Sequence, residues 1–382
     1  MTMELSALAH PSHGRILDII RAAGQISRVE IAQESGMTGA SVTNIVRLLL
    51  QAGLVREIGY AESTGGKRRT LLSIAPESRY AVGVHLQHES VTYTVSDLAG
   101  RLVGRRASPA AESQEPEPMA RRLAVDVEAV LDDLDVQKSS VYGVGIAGSR
   151  TLDHDARTRI DLVQALSRGL ALPVVDDREA VAAAIGEFWQ GTADQPSSFA
   201  VLYMGEEFGV GLVNSGSVWR GATGNAGDIG HIAVDPGGPV CACGRKGCLQ
   251  AVASPAAVVA QARRQGVLAD STSSAADRFD AVARRAVRGE EGPLALIAES
   301  ARKVAAVATT AASIMDIEMY VLAGSGFAVP GAIYAEHIRR ALDELTGALS
   351  LPRVAVELAH NPRDAAAVGA SALVLQGALA PR

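Results

Sequence analysis

The sequence predicts a large α/β unit preceded by a small unit of three helices and a hairpin. Two patterns carry this. In the first eighty residues, short helical stretches with cap signals lead into two strand-length runs; beyond them, apolar runs of strand length are interspersed with helix-length segments, as in α/β layers. Charge divides the chain at the same place: nine Lys/Arg stand against seven Asp/Glu through Arg79, net +2, so the rest carries −8 of the overall −6. At 382 residues the chain exceeds one ordinary domain. With 48% hydrophobic and 20% charged residues it can build real cores, which excludes fibrous and disordered classes. No charge-free stretch reaches eighteen residues, and residues 1–11 lack a basic start and an apolar core, so no membrane span or secretory signal is expected and a cytoplasmic protein is the default.

Residues 14–23 read as a first helix with Ile16, Leu17, Ile19 and Ile20 on its buried side. Ser27 and Glu30 stand at capping-box spacing, Ile31 and Ala32 continue the apolar pattern, and Gly36 stops the second helix. Thr38 caps a third helix that runs to about Ala52 and ends at Gly53. Val42, Ile45, Val46 and Leu49 form its core stripe, while Ala40, Thr43, Asn44 and Arg47 recur at i, i+3, i+4 and i+7 on the opposite face, with Ser41 beside them. Short polar and basic side chains on such a face suit base edges and phosphates in a major groove; a merely solvated face has the same pattern. Residues 54–58 and 70–74 read as strands joined by a loop with Ser63, Gly65, Gly66, Lys67, Arg68 and Arg69. Helix, turn, helix and basic hairpin is the order of a winged helix-turn-helix, placed at 1–78. Thr38, Ala40, Ser41, Thr43, Asn44, Arg47, Lys67, Arg68 and Arg69 are therefore candidate contacts to double-stranded operator DNA.

Further on, strands are expected at 81–87, 91–97, 102–106, 141–147, 174–176, 199–204, 209–213 and 320–323, with helices around 117–135, 178–190 and in several places beyond 254. The stretch 109–118, rich in Pro, Glu, Ser and Ala, reads as a surface connection. All three cysteines, Cys241, Cys243 and Cys248, fall within eight residues, ten residues downstream of His231 at the nearest. An odd, clustered set does not suit a disulfide framework. Three sulfurs and an imidazole make a closed tetrahedral Zn2+ site with no position left for a substrate water, hence a structural one.

The run 221–231, Gly-Ala-Thr-Gly-Asn-Ala-Gly-Asp-Ile-Gly-His, followed by Cys-x-Cys-Gly-x-x-Gly-Cys, resembles the signature of the ROK family of sugar kinases and sugar-responsive repressors. With the winged helix in front, the resemblance points to the xylose and N-acetylglucosamine repressor branch. It implies an actin-like, sugar-kinase type sensor in two lobes over 79–382, approximately 79–190 and 191–382, with the C-terminal helix returning to the first. It also implies zinc on His231, Cys241, Cys243 and Cys248, and a homodimer or dimer of dimers.

The phosphate-binding motifs of the family's kinases are not matched. Where they carry Asp-x-Gly-Gly-Thr, this chain reads His85-Leu86-Gln87-His88-Glu89; where a second turn would be Gly-Thr-Gly, it reads Gly205-Glu206-Glu207; only Gly324-Ser325-Gly326 survives. Carboxylates near the expected polyphosphate repel it, so neither ATP binding nor enzymatic activity is expected. The family's sugar-binding Asn-Asp pair is replaced by Asp176-Asp177, and Asp228 and Gln250 stand where Glu is usual. The candidate effector residues are Asp176, Asp177, Asn225, Asp228, His231 and Gln250, for a sugar or sugar derivative. The segment 148–177 is short for the family's sugar loop. The expected function is a sequence-specific repressor of carbohydrate genes; the alternatives are a sugar kinase with a DNA-binding appendage, or a repressor without a small-molecule effector.

Overall fold

The structure is a computed structural model and describes residues 10–61, 68–110, 113, 115–148, 156–191, 196, 198–214, 216–269 and 273–379. Helix α1 (Pro11–Ala23) begins earlier than expected because Pro11 opens the helix and the His10 ring accepts the Ser12 N–H. Helix α2 (Arg28–Ser35) carries the closed capping box: Ser27 N donates to Glu30 Oε2 at 2.8 Å, and Glu30 N donates to Ser27 Oγ. The Ser27 bonds lower the Glu30 pKa by favouring its ionised form. Gly36, at φ +71°, supplies the left-handed residue that ends this helix. Helix α3 (Gly39–Gln51) follows its Thr38 cap. Strands β1 (Ile26–Ser27), β2 (Val55–Tyr60) and β3 (Thr70–Ile74) form a sheet in the order β1-β3-β2. Ile16, Ile20, Ile31, Val42, Val46 and Leu72 are fully buried inside this unit.

Two five-stranded sheets follow, built to one plan. The first holds β4 (Tyr80–Leu86), β5 (Ser90–Asp97), β6 (Leu102–Pro109), β7 (Val141–Gly148) and β8 (Val174–Arg178), ordered β6-β5-β4-β7-β8. The second holds β9 (Ser198–Met204), β10 (Phe208–Asn214), β11 (Ser217–Trp219), β12 (Met319–Ala323) and β13 (Ala355–Leu358), ordered β11-β10-β9-β12-β13. In each, an antiparallel meander of three strands is extended by two parallel ones. The parallel strands need crossovers. In the first sheet α4 (Pro116–Asp133) and α5 (Ala156–Leu170) supply them and bury Leu123, Val127, Leu162 and Leu166 on its outer face.

Between the sheets lie α6 (Glu179–Gln190) and α12 (Ala365–Leu379). Alternation along β9 sends Phe199, Val201 and Tyr203 into the core shared with α6, and Ala200, Leu202 and Met204 into a second core under α10 (Glu291–Met315) and α11 (Gly331–Leu349). Shorter helices α7 (Leu249–Ala253), α8 (Pro255–Arg264) and α9 (Ala275–Val287) complete that side. Although α6 falls within the range expected for the first lobe, it packs on β9 and β10, because Gly211 leaves its backbone room to approach; α12 lies on β4, β5 and β7. The core of the N-terminal unit runs on into the core around α6 and α12, so the unit is packed on the two-sheet part of the chain. Among the described residues, no helix is long and apolar enough to cross a membrane.

Candidate functional site

On α3 the sequence pattern sorts side chains as expected. Val42, Ile45, Val46 and Leu49 are buried, while Ala40, Thr43, Asn44 and Arg47 are exposed. Thr38 Oγ1 accepts the Ser41 N–H and lies 2.9 Å from Ser41 Oγ, so the two hydroxyls fix the start of the helix. Thr43 Oγ1 donates to Gly39 O at 2.7 Å, and Arg47 Nη2 donates to Asn44 Oδ1 at 3.2 Å. Both Arg47 and Asn44 are thus held on one exposed face. Arg28 ties the start of α2 to Glu57 on β2 at 2.9 Å, setting the hairpin beside the helices. Arg68 and Arg69 are exposed at the return of the hairpin; Ser63, Gly65, Gly66 and Lys67 lie outside the described residues. Arg28 directly follows the Ser27 cap, and Tyr60 at the end of β2 is exposed.

His231, Cys241, Cys243 and Cys248 converge. Their ligand atoms all lie within 4.8 Å of one another, with His231 Nδ1 3.6 Å from Cys241 Sγ and Cys243 Sγ 3.7 Å from Cys248 Sγ. A tetrahedral ion with bonds of roughly 2.3 Å to sulfur and 2.0 Å to nitrogen sets S–S separations of about 3.8 Å and S–N separations of about 3.5 Å, which these two separations approach. The loop is shaped for this. Cys241 N donates to Arg245 O, Gly247 N donates to Pro239 O, and Gly247, at φ +64°, lies so close to the Asp235 carbonyl that no side chain fits. Burial, with the neighbouring thiols, pushes Cys248 up to about 11, whereas a backbone N–H from Arg245 lowers Cys243. A divalent cation would favour all three thiolates over this uneven set.

Of the remaining candidates, Asp176, Asp177 and Asp228 line two adjoining cavities where the sheets meet, and Asn225 and Gln250 line neither. Asp176 and Asp177 end β8: Asp176 pairs with Arg159 of α5, and Asp177 Oδ2 accepts Arg220 Nε at 2.9 Å while its Oδ1 accepts the Arg178 N–H at 2.8 Å. Arg178 reaches across to the Ala226 carbonyl in the glycine-rich run. Asp228 lines a small cavity of about 40 Å³ with Gly148, Arg178, Glu179 and Tyr203; Gly148 also lines a neighbouring one with Asp176, Asp177 and Arg159. Asn225 is exposed and bonded only locally, to Thr223. Gln250 is spent on the backbone: its Oε1 accepts Phe208 N at 3.1 Å and its Nε2 donates to Glu206 O at 2.7 Å, holding the β9–β10 turn.

Beneath this lies an arrangement that spacing alone could not disclose. His85 Nε2 is 2.5 Å from Glu179 Oε1, with Tyr203 O–H 3.4 Å from the same oxygen, all three buried. Burial, with Glu179 beside it, raises the Tyr203 pKa well above the usual phenol, so it stays a neutral donor.

A larger cleft of about 420 Å³ opens between the β4–β5 and β9–β10 turns, lined by His88, Glu89, Glu206, Gly326, Arg363 and Asp364 among others. Here the Glu206 carboxylate accepts the backbone N–H of His88 at 3.0 Å and lies 2.6 Å from its Nδ1. Glu89 accepts the Ala275 N–H at the start of α9 at 3.1 Å. Carboxylates thus take backbone donors across the cleft from both sides. Glu207, expected beside Glu206, lines the smaller cavity instead.

A model described as the ROK family matches residues 90–377, and one described as winged helix-turn-helix DNA-binding matches residues 10–56. The xylose repressor of Caldicellulosiruptor bescii is 25% identical over 372 residues, covering 93% of this chain and 92% of that protein. Among solved structures, a ROK family transcriptional regulator described as a homologue of the E. coli MLC protein superposes with a TM-score of 0.75 at 22% identity, over 97% of this chain and 96% of the other. The ROK hexokinase from Thermus thermophilus gives 0.62 at 26% identity, over 77% and 98%.

Proposed function

Since the chain belongs to the ROK family, we propose that it is a DNA-binding transcriptional repressor whose two-lobed sensor takes a sugar-type effector and carries out no phosphoryl transfer. The observation that carries this is the union in one chain of a winged helix presenting an exposed polar face on α3 with a cleft in which Glu206 and Glu89 take up backbone N–H groups. The boundaries we assign are 1–78 for the DNA reader and 79–382 for the sensor.

Thr38, Ala40, Ser41, Thr43, Asn44 and Arg47 would face the major groove, with Lys67, Arg68 and Arg69 against phosphates or a minor groove. His231, Cys241, Cys243 and Cys248 would hold zinc, whose contribution is to lock the loop that carries His231 and Gln250. With Nδ1 turned to the cysteines, His231 Nε2 remains for an effector hydroxyl. Asp176, Asp177 and Asp228 would accept sugar hydroxyls, Asn225 would close over the ligand, and Gln250 would act by fixing the turn beside them. We assign the protein to the cytoplasm, as a homodimer or dimer of dimers matching two-fold operators.

The test is a fluorescence-anisotropy titration of the full-length protein on the region upstream of its own gene, at moderate salt, with and without D-xylose, N-acetylglucosamine and other hexoses. Sequence-specific binding weakened by one of them is expected; absence of specific binding refutes the regulator. A coupled ADP-release assay on the same sugars separates the kinase reading, since Asp177-dependent turnover would overturn ours.

A further inference from the structure

We propose that α6 is the strut that carries the state of the cleft to the DNA reader, and that Arg21 is the positioning residue at its far end. The proposal rests on the regulator reading and adds how its two ends communicate.

The near end of α6 lines the small cavity between the sheets, beside the cleft. It follows directly on Asp176, Asp177 and Arg178, and its first residue is Glu179, the buried partner of His85 and Tyr203. Any change in how Asp177 or Arg178 is bonded therefore acts on the first turn of this helix. The helix is built to move as one piece. Ten of its twelve residues are buried, its middle is alanine, and Gly186 and Gly369 bring it so close to α12 that an added methyl on Gly186 would lie 2.8 Å from the Gly369 Cα. A helix of this length spans about 18 Å, and tight packing on every side leaves displacement of the whole rod as its available response.

The far end meets the reader. Arg21 of α1 donates to the Trp189 carbonyl and, at 3.5 Å, to the Gly191 carbonyl, which are among the acceptors a helix leaves open at its C-terminus. Its guanidinium stands 4.9 Å from the Trp189 ring centre and 5.6 Å from that of Phe188, its side chain is 6% exposed, and Asp18 of the same helix lies 3.8 Å from Nε. A cation buried against carbonyls at the negative end of a helix is strongly oriented by it. The sensor grips the same point from the other side: Gln190 Nε2 donates to Gly100 O at 3.0 Å, and Gly100 packs against the Trp189 indole with no room for a side chain. A displacement of α6 thus changes the seat of α1, on which α2, α3 and the hairpin are packed.

The experiment is a double-mutant cycle in the full-length protein that needs no identified effector. Asp177→Asn perturbs the cleft end; Arg21→Met keeps the stem of the side chain but removes the donors, and Arg21→Lys keeps the charge but loses the fork. DNA affinity is read by anisotropy on the upstream duplex, and hydrogen exchange of residues 11–23 is followed by mass spectrometry. The expected result is that Asp177→Asn changes affinity and exchange when Arg21 is present, that the change is lost with Met and partly regained with Lys, and that the affinities depart from additivity by at least about fivefold. Distant sites without coupling stay additive within roughly twofold. Additive effects in variants that keep their melting transition, or no response of either readout to Asp177→Asn, would overturn the strut. If the wild-type chain binds no DNA, the regulator reading fails while the exchange measurement still decides the strut.

Discussion

Replacing Gly369 by alanine should destabilise the sensor, although alanine is the better helix former. A Cβ at position 369 would overlap the Ala182 carbonyl and lie 2.7 Å from Ala183 N, where ordinary contact begins at 3.4 Å. Both obstacles are backbone, which cannot rotate away, so α6 and α12 must part by several tenths of an ångström along their length. Overpacking of this kind costs about 1 to 3 kcal/mol, and a rigid obstacle argues for the upper end. The gain in helix propensity offsets about 1 kcal/mol, leaving a net loss of roughly 2 kcal/mol. For a domain of this size that lowers Tm by about 3 °C. Gly377→Ala is the matched control in the same helix: it is exposed, nothing stands within 4 Å of its new methyl, and it should stabilise by about 0.5 to 1 kcal/mol. Thermal unfolding by circular dichroism reads both. Shifts of the same sign would refute the close approach of the two helices.

Arg47→Ala should weaken DNA binding, with a loss of about 1 to 3 kcal/mol confined to one base position if the guanidinium reads a base edge; anisotropy on single-base variants of the duplex separates this from a phosphate contact, which weakens all duplexes alike. Cys243→Ser should remove most of the bound zinc, measured by inductively coupled plasma mass spectrometry, and lower the melting temperature; zinc lost with unchanged melting would refute a structural role. Burial raises the Glu187 pKa, opposed by His360, so the folded state holds its proton to higher pH than the unfolded chain does. That group therefore costs stability progressively as pH rises above about 4.5, the loss levelling off once the folded carboxyl has ionised. Glu187→Gln should flatten this part of the profile in urea unfolding between pH 4 and pH 8, and an unchanged slope would contradict it.

Features whose partners are neighbours in sequence were legible from it. Thr38 and Gly53 bracket α3 as a cap and a stop, and the period between them assigns each face correctly. The three cysteines and His231 lie in one short glycine-bent loop, so their convergence needed no knowledge of the fold. Helix α5 carries Leu162, Leu166 and Leu170 on one side, but Arg157, Arg159, Asp161 and Arg168 dilute that signal in the sequence. The His85–Glu179 pair joins residues 94 positions apart, and Arg159 reaches Asp176 only because α5 crosses back over β8. Gln250 shows a different limit: its position by the cleft was predictable, but whether an amide faces a ligand or a neighbouring backbone depends on the turn it meets.

The Glu206 bond to His88 has a consequence for what the protein can sense. An anion attached to the chain is present at millimolar effective concentration whatever the cell contains, and any free polyphosphate must displace it. On the proposed reading, occupancy of the cleft would then be uncoupled from the energy charge of the cell: a kinase of this architecture answers to two pools, its sugar and its nucleotide, whereas a chain that supplies the second anion itself would answer to the sugar alone.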